Sequence, residues 1–211
     1  VVPMKNEVEN AEGCLQSLLS QNYNGKCEII ICLPDERDPT MGALSKFRSE
    51  KQISVVYSYE VGKSIQMQKA VSEARYEFVA FLDADCRPSK NWLKTMVTTL
   101  KENNADSVSS GFFVRGNSPL SHAQSYDVPF LLCLGATHKG GLIWEGNHAM
   151  TKSSFLSFGG LANTKIISVT EDFRGRVLSS GIRHIATFHP DAVVELAPKK
   201  SFRDIFWQRV R

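Results

Sequence analysis

No uninterrupted apolar run in this chain approaches the roughly 20 residues that cross a membrane, and no signal-peptide pattern is visible. The five cysteines include no Cys-x-x-Cys pair and are odd in number, which argues against a zinc site or a disulfide framework. Reduced thiols in a cytosolic compartment are therefore expected. The net charge of +3 is too small, and basic and aromatic residues are too little interleaved, to indicate nucleic-acid binding.

The length and composition fit a single globular domain. A chain of 211 residues can bury a sizeable core, and 42% hydrophobic and 22% charged residues are ordinary values for such a domain. The chain opens at Val1, inside an apparent strand, and stops at Arg211, inside a predicted helix. We therefore expect a domain cut from a longer protein.

The segment Phe78–Leu82 is an apolar run of aromatic and branched side chains, which predicts a strand buried on both faces. Asp83 and Asp85 follow it, and Pro88 prevents the strand from continuing. Side chains two residues apart on an extended backbone point the same way, so both carboxylates can face one point beyond the sheet. A hard divalent cation such as Mg²⁺ would relieve their repulsion. The alternative interpretation is a solvated turn that carries two acids.

Strands and helices alternate through roughly the first hundred residues. The predicted strands are Val1–Pro3, Glu28–Leu33, Ile53–Tyr57 and Phe78–Leu82, and the predicted helices are Val8–Gln21, Met41–Glu50, Ser64–Ala74 and Asn91–Asn103. This alternation predicts a parallel α/β sheet, in which ligands bind beyond the carboxyl ends of the strands. Asp35, the Gly62-Lys63 turn and the Asp83/Asp85 pair all follow strands, so we expect them around one crevice.

The second half of the sequence is less regular. We predict a strand over Ser107–Val114, a helix or apolar loop over Ser121–Gly135, a strand-like stretch over Gly140–Met150, a helix over Phe173–Ser180, and strands over Ile185–Phe188 and Ala192–Leu196. The basic end at 198–211 carries Phe202 and Phe206 at helical spacing. It is either an ordinary amphipathic surface helix or a helix that lies in a membrane interface.

Several short motifs follow one another along the chain: Asp35, Gly62-Lys63, Asp83-Ala84-Asp85, Gly146-Asn147, Thr170-Glu171-Asp172 and Gln208-Arg209-Val210-Arg211. Together they resemble the family 2 glycosyltransferases, which are built on the GT-A nucleotide-sugar fold. The last motif resembles the Gln-x-x-Arg-Trp motif of membrane-bound members. The segment from Pro34 to Pro39 departs from the usual Asp-Asp-Gly-Ser form and resembles the Asp-x-x-Asp-Pro variant of the ceramide glucosyltransferase and hopanoid glycosyltransferase branch.

The resemblance implies one GT-A domain over residues 1–211, with a mixed, mainly parallel, Rossmann-like sheet flanked by helices. Residues 1–105 would form the nucleotide-sugar-binding half, and residues 106–211 the half that holds the acceptor and the catalytic base. The full-length protein is expected to associate with a membrane, with this domain on the cytoplasmic face.

The resemblance also implies roles for single residues. Asp83 and Asp85 would contact ribose and a Mg²⁺ or Mn²⁺ ion on the donor diphosphate, and Asp172 would be the general base. The other residues expected to bind substrates are Asp35 at the nucleobase, with Asp38 as a second candidate; Lys63 at the nucleotide or its phosphates; Gln208 and Arg211 at the diphosphate or acceptor; and Trp144, Gly146, Asn147 and Glu171 at the donor or acceptor.

The implied reaction moves a sugar from a nucleotide donor, expected to be UDP-linked, to a lipid or polysaccharide acceptor. The departing diphosphate gains negative charge, which a metal ion and a fixed cation stabilise. The acceptor hydroxyl is a poor nucleophile, so a carboxylate must take its proton. One base acting opposite the leaving group gives a single displacement with inversion.

Three other functions are weighed against this one. A haloacid dehalogenase-type phosphatase also places Asp-x-Asp after a strand, but after its first strand rather than its fourth. A sugar nucleotidyltransferase needs a glycine-rich loop after the first strand, and Pro3–Glu7 is not one. A catalytically silent binding domain for nucleotide sugars or glycans would not need every expected acid. For Asp172, the alternative interpretation is an acid that only favours a helix N-terminus.

Overall fold

The computed structural model describes residues 1–60, 62–116, 118–124, 142–161, 169–199, 201–203 and 205–206. The strands within these ranges are β1 (Val2–Pro3), β2 (Ile29–Leu33), β3 (Ile53–Tyr57), β4 (Phe78–Leu82), β5 (Cys86–Pro88), β6 (Ser107–Ser110), β7 (Phe112–Val114), β8 (Asn147–Thr151), β9 (His184–Thr187) and β10 (Val194–Leu196). The helices that lie wholly within these ranges are α1 (Val8–Leu19), α2 (Thr40–Leu44), α3 (Lys63–Glu73), α4 (Trp92–Glu102), α5 (Lys152–Ser157) and α6 (Val169–Ser179), and Ser45–Phe47 adds a 3₁₀ turn after α2. Residues 119–124 are also helical, up to the edge of a described range.

The first half of the chain forms a parallel sheet in the order β1-β2-β3. Every residue of β2 is buried, as expected for a strand covered on both faces. The backbone of Val1 continues the sheet to β4, because its amino group donates to the Ala80 carbonyl at 2.7 Å and its carbonyl accepts from the Leu82 N–H at 3.1 Å. The resulting order β3-β2-β1-β4 places β1 between β2 and β4.

Strands from the second half extend and cover this sheet. β4 pairs antiparallel with β8, β8 pairs antiparallel with β6, and β6 pairs parallel with β9. A small separate sheet has the order β5-β10-β7. The whole is a mixed α/β fold of sheets flanked by helices, as predicted.

The flanking helices bury one face each. In α1 the buried side chains are Ala11, Cys14 and Leu15, and in α3 they include Met67 and Val71. These positions recur at three- and four-residue spacing, so they lie on one side of each helix and pack against the sheet. The core therefore lies on both faces of the β3-β2-β1-β4 layer.

The predicted strands at residues 53–57 and 78–82 are confirmed to the residue, and α1, α3 and α4 lie where the periodicity indicates. The helix predicted over Met41–Glu50 is shorter, because α2 ends at Leu44 and the 3₁₀ turn ends at Phe47. Three predictions about strands were also wrong in part. The single strand over Ser107–Val114 is two strands in different sheets, broken at Gly111. The stretch Gly140–Met150 is a strand only from Asn147 onward among its described residues. Pro88 ends no strand by itself, since it lies in β5, which pairs with β10.

Cys14, Cys27, Cys32 and Cys86 are free thiols, as the cysteine pattern predicted for them. Among the described residues, no helix is both long enough and apolar enough to span a membrane. An apolar cavity of about 420 Å³ lies at the amino ends of β2 and β4, and none of the predicted site residues lines it.

A buried histidine, His148, and a half-buried one, His184, stack across the second-half sheet. The rings of His148 in β8 and His184 in β9 are parallel to within 4°, with centroids 5.6 Å apart. Ser109 hydrogen-bonds His148 Nδ1 at 2.6 Å, and Ser107 hydrogen-bonds His184 Nδ1 at 2.7 Å. Burial lowers the pKa of His148 well below 6.5, and the neighbouring His184 lowers it further. Burial also lowers the pKa of His184, so both rings are neutral at pH 7.

The two neutral histidines predict that the folded protein is less stable at acidic pH. The unfolded chain takes up protons near pH 6.5 while the folded chain does not, so the free energy of unfolding should fall as the pH drops below 6.5. The expected slope is up to about 1.4 kcal/mol per pH unit for each histidine. His148→Gln should flatten this slope in urea denaturation curves between pH 7.5 and 5. Identical slopes for the two proteins would contradict the assignment.

Candidate functional site

The candidate site lies at the carboxyl ends of β1 and β4. The chain runs outward from β1 through β2 to β3 and then returns to the other side of β1 as β4, so the strand order reverses between β1 and β4. In open α/β sheets the crevice at such a reversal is where ligands bind. Asp83 directly follows β4, and Lys63 is the first residue of α3.

The Lys63 ammonium lies between two carboxylates. Its Nζ is 2.6 Å from Asp83 Oδ1 and 2.8 Å from Glu145 Oε1. The Glu145 side chain is only 4% exposed, whereas Lys63 is 30% exposed, so the pair is open to solvent from the lysine side. A buried carboxylate is costly unless it is paired and hydrogen-bonded, and Lys63 supplies that pairing.

The charges in this group shift each other's pKa values. Burial raises the pKa of Asp83 to about 6, and the carboxylates of Glu145 and Asp85 add to the shift while Lys63 opposes it. Burial also disfavours charged Glu145, but Lys63 outweighs that effect and a hydrogen bond from Thr170 adds to it, so the pKa of Glu145 lies below its usual value. Lys63 keeps its proton because the two carboxylates overcome the effect of burial.

Asp85 has a different cation as its partner. Asp83, Ala84 and Asp85 form a turn, closed by a 3.0 Å hydrogen bond from the Cys86 N–H to the Asp83 carbonyl, rather than the extended segment that was expected. Asp85 Oδ2 lies 3.0 Å from Lys199 Nζ, and the Ala197 N–H donates to the Asp85 carbonyl at 2.9 Å. Burial would lower the pKa of Lys199, but Asp85 raises it above its usual value.

Gly146 leaves room for the packing beside Asp83. A Cβ at this position would lie 2.2 Å from the Trp144 ring and 2.5 Å from Asp83 Oδ2, closer than real atoms approach. The Gly146 carbonyl also accepts from the Asp83 N–H at 3.1 Å. The Trp144 ring packs on Phe112 with centroids 4.4 Å apart, so both sequence-predicted residues adjoin the acid pair.

Asn147 lies beneath this layer and is fully buried. Its Oδ1 accepts from Trp92 Nε1 at 2.8 Å, and its Nδ2 donates to the Gly111 and Ala192 carbonyls at 2.8 and 2.9 Å. The Asn147 side-chain amide therefore makes these hydrogen bonds inside the protein. They connect β8 to α4 and to the loops at Gly111 and Ala192.

The two candidate acids for the nucleobase behave differently. Asp35 follows β2 and accepts from the Arg37 N–H at 2.8 Å, with Arg37 Nε at 3.5 Å, so it stays open to solvent. Asp38 is buried and accepts from the Asn6 N–H at 3.2 Å and from the Thr40 N–H at 2.9 Å. Asp38 therefore joins the loop after β1 to the start of α2, whereas Asp35 remains available to a ligand.

Asp172 lies in the first turn of α6, which begins at Val169 rather than at Phe173 as predicted. Its Oδ2 accepts from Arg176 Nε at 2.9 Å, one helical turn away. Glu171 is largely exposed, with Arg174 3.9 Å away. The hydrogen bond between Thr170 and Glu145 brings the start of α6 beside the ion pair of Glu145 and Lys63.

Gln208 and Arg211 lie outside the described residues. Sequence reasoning missed Glu145 and Lys199. A lone acid in the otherwise apolar stretch around Trp144 was the available signal for Glu145. Lys199 is 114 residues from Asp85 and had no local signal.

Within the described ranges no group of three or more His, Cys, Asp or Glu side chains is arranged to hold a metal ion.

A sheet of this order, with acids at the strand reversal, is typical of ligand-binding α/β folds. The family model described as "Glycosyl transferase family 2" matches residues 1–157, and the chain belongs to this family. Two relatives are glycosyltransferase AglE of Haloferax volcanii, 26% identical over 111 residues, and the uncharacterized glycosyltransferase YibD of Escherichia coli, 24% identical over 108 residues. These matches cover 51% and 50% of this chain but only 36% and 31% of the relatives.

Two solved structures have the same fold. Mannosyltransferase PcManGT of Pyrobaculum calidifontis, in complex with GDP-Man and Mn²⁺, matches with a TM-score of 0.74 at 23% identity, over 99% of this chain and 59% of that one. S. aureus TarS 1-349, in complex with UDP, matches with a TM-score of 0.73 at 15% identity, over 93% of this chain and 59% of that one. The predicted GT-A fold is confirmed.

The shared cation predicts a large cost for removing Lys63. Lys63→Met would leave Asp83 and the buried Glu145 without their partner, and we expect a loss of about 3 kcal/mol in the free energy of unfolding. Lys69→Met on the same helix breaks only the exposed pair with Glu73 and should cost less than about 0.5 kcal/mol. Urea denaturation of both variants at pH 7.5 measures the difference. Equal losses would contradict the proposed pairing.

Proposed function

We propose that this domain binds a nucleoside-diphosphate sugar and transfers the sugar, with inversion, to a lipid or polysaccharide acceptor. The observation that carries the proposal is the paired group at the strand reversal, where Asp83 and Asp85 meet Lys63 and Lys199. Membership of family 2 supports the reaction class, and the ligands of the structural neighbours support a nucleotide-sugar donor.

A Mg²⁺ or Mn²⁺ ion is the expected cofactor. The hard oxygens of Asp83 and Asp85 suit either ion, and water and phosphate oxygens usually fill the remaining positions around Mg²⁺. When bound, the ion would neutralise charge on the diphosphate. Lys63 and Lys199 pair with these acids, and each would exchange its carboxylate for a phosphate oxygen when the donor binds.

Asp172 is the proposed general base. An inverting displacement needs one carboxylate to take the proton of the acceptor hydroxyl as that oxygen attacks the sugar. Two features support Asp172. It lies in the first turn of α6, whose Thr170 hydrogen-bonds Glu145 beside Lys63. Arg176 also fixes the orientation of its carboxylate. Glu171, exposed beside it, is the proposed contact for the acceptor.

Membrane association on the cytoplasmic face stays a prediction from the sequence. Phe202 and Phe206 are exposed on the C-terminal segment, which suits a helix lying at a lipid surface. Gln208 and Arg211 are proposed to bind the diphosphate or the acceptor at that surface. The presence of a Gln-x-x-Arg-Trp motif and the relationship to the ceramide glucosyltransferase and hopanoid glycosyltransferase branch are also hypotheses from the sequence.

The metal role predicts the behaviour of an Asp85 variant. Asp85→Ala should abolish Mn²⁺-dependent binding of UDP or GDP in calorimetry, because it removes one of the two proposed oxygen ligands. The wild-type protein with a chelator provides the matched state without metal. Nucleotide binding that depends on Mn²⁺ to the same extent in the variant would remove Asp85 from this role.

The base role predicts a separation of binding from turnover. Asp172→Asn should lower kcat by at least a thousandfold while the donor Kd changes less than about twofold, because the amide keeps the shape but cannot accept the proton. Glu73→Gln is the matched control, since Glu73 is also an acid in a helical pair four residues apart. The measurements are turnover of the nucleotide sugar and calorimetric donor binding. Full activity in Asp172→Asn excludes it as the base, and donor binding without turnover by the wild type would favour a silent binding domain.

A further inference from the structure

Tyr59 is a large aromatic side chain held out in solvent. It is 69% exposed, and its backbone has φ of 55°, a left-handed conformation that is uncommon for any residue other than glycine. Residues in such conformations persist only where their surroundings fix them, and they cluster at functional sites. Tyr59 belongs to no core cluster, so packing does not account for its position.

Two hydrogen bonds hold the Tyr59 ring in place. Its hydroxyl donates to Glu36 Oε1 at 2.6 Å, and its backbone N–H donates to the Pro34 carbonyl at 2.8 Å. The Tyr57 ring lies beside it, with centroids 6.0 Å apart and planes tilted by 48°. The loop after β3 is thereby fastened to the loop after β2, and a preformed aromatic surface results.

This surface lies along the same edge of the sheet as the acid pair. Tyr59 follows β3, Asp35 follows β2 and Asp83 follows β4, while β1 lies between β2 and β4. At about 4.8 Å between neighbouring strands, Asp35 is two strand positions, or about 10 Å, from Asp83 along this edge. Tyr59 lies one strand further out. A nucleoside diphosphate whose phosphates meet Asp83 and Lys63 would extend its base toward Asp35 and Tyr59.

We propose that Tyr59 is the stacking surface for the nucleobase of the donor and that it sets the outer limit of the base pocket. The inference rests on the proposed function and adds a residue that the sequence motifs do not single out. Any planar base offers a π-face to the ring, whichever polar groups it carries. The partly exposed Asp35 carboxylate, whose contacts with Arg37 are both at Oδ1, offers an acceptor for a base N–H. The Glu36 hydrogen bond keeps the ring from collapsing onto the loop before the base arrives.

A purely structural role is the competing interpretation. In that case Tyr59 would serve only to fasten the two loops through Glu36, and its ring would not meet the ligand. The two roles separate because they use different parts of the side chain. The hydroxyl makes the loop contact, and the ring face makes the stack.

The test compares three variants in calorimetric titrations with UDP, GDP and inorganic pyrophosphate, each with Mn²⁺. Tyr59→Asn removes the ring, and Asn accepts the left-handed backbone, so the fold should survive. Tyr59→Phe keeps the ring without the hydroxyl, and Glu36→Gln keeps the ring while weakening its anchor. Pyrophosphate is the matched ligand, because it has the phosphates but no base.

We expect Tyr59→Asn to weaken binding of the better nucleotide about tenfold, as loss of one base–aromatic stack does, while pyrophosphate binding is unchanged. Tyr59→Phe and Glu36→Gln should stay within about threefold of the wild type. Unchanged nucleotide affinity in Tyr59→Asn, or an equal loss for pyrophosphate, would overturn this inference alone. Failure of the wild type to bind either nucleotide would overturn the proposed function and this inference with it.

Discussion

One ammonium group shared by two carboxylates holds the site together. Lys63 neutralises Asp83 at the end of β4 and the buried Glu145, and it does so from the first residue of α3. Without it, two acids would lie unpaired in a partly desolvated crevice, which a folded chain of marginal stability tolerates poorly. The strand end, the helix start and the segment before β8 are therefore positioned by a single charge.

The strand order determines which residues can meet in this group. Because β1 lies between β2 and β4, the loops after these strands open side by side, and the reversal leaves a gap between them. β8 then returns antiparallel beside β4 and brings Gly146 against Asp83. Asn147 fixes this return through three buried hydrogen bonds, so its contribution is structural support beneath the site.

Much of the fold and part of the site followed from local patterns. The strand before Asp83 and the alternation of the first half were predictable because burial on both faces leaves continuous apolar runs and helices repeat every three to four residues. Glu145 and Lys199 were not predictable, because their partners are distant in sequence and a long-range ion pair leaves no periodicity. The break at Gly111 was missed for the same reason: β10, which pairs with only one of the two resulting strands, lies far along the chain.

The balance of charge in the crevice has a consequence for the approach of a donor. Among the described residues of the crevice, three carboxylates face two ammonium groups, so this part of the site carries about one net negative charge. Long-range steering of a diphosphate is then weak, and encounter rates should depend little on ionic strength. A donor would then be recognised mainly at short range, where Lys63 and Lys199 would exchange their carboxylate partners for phosphate oxygens.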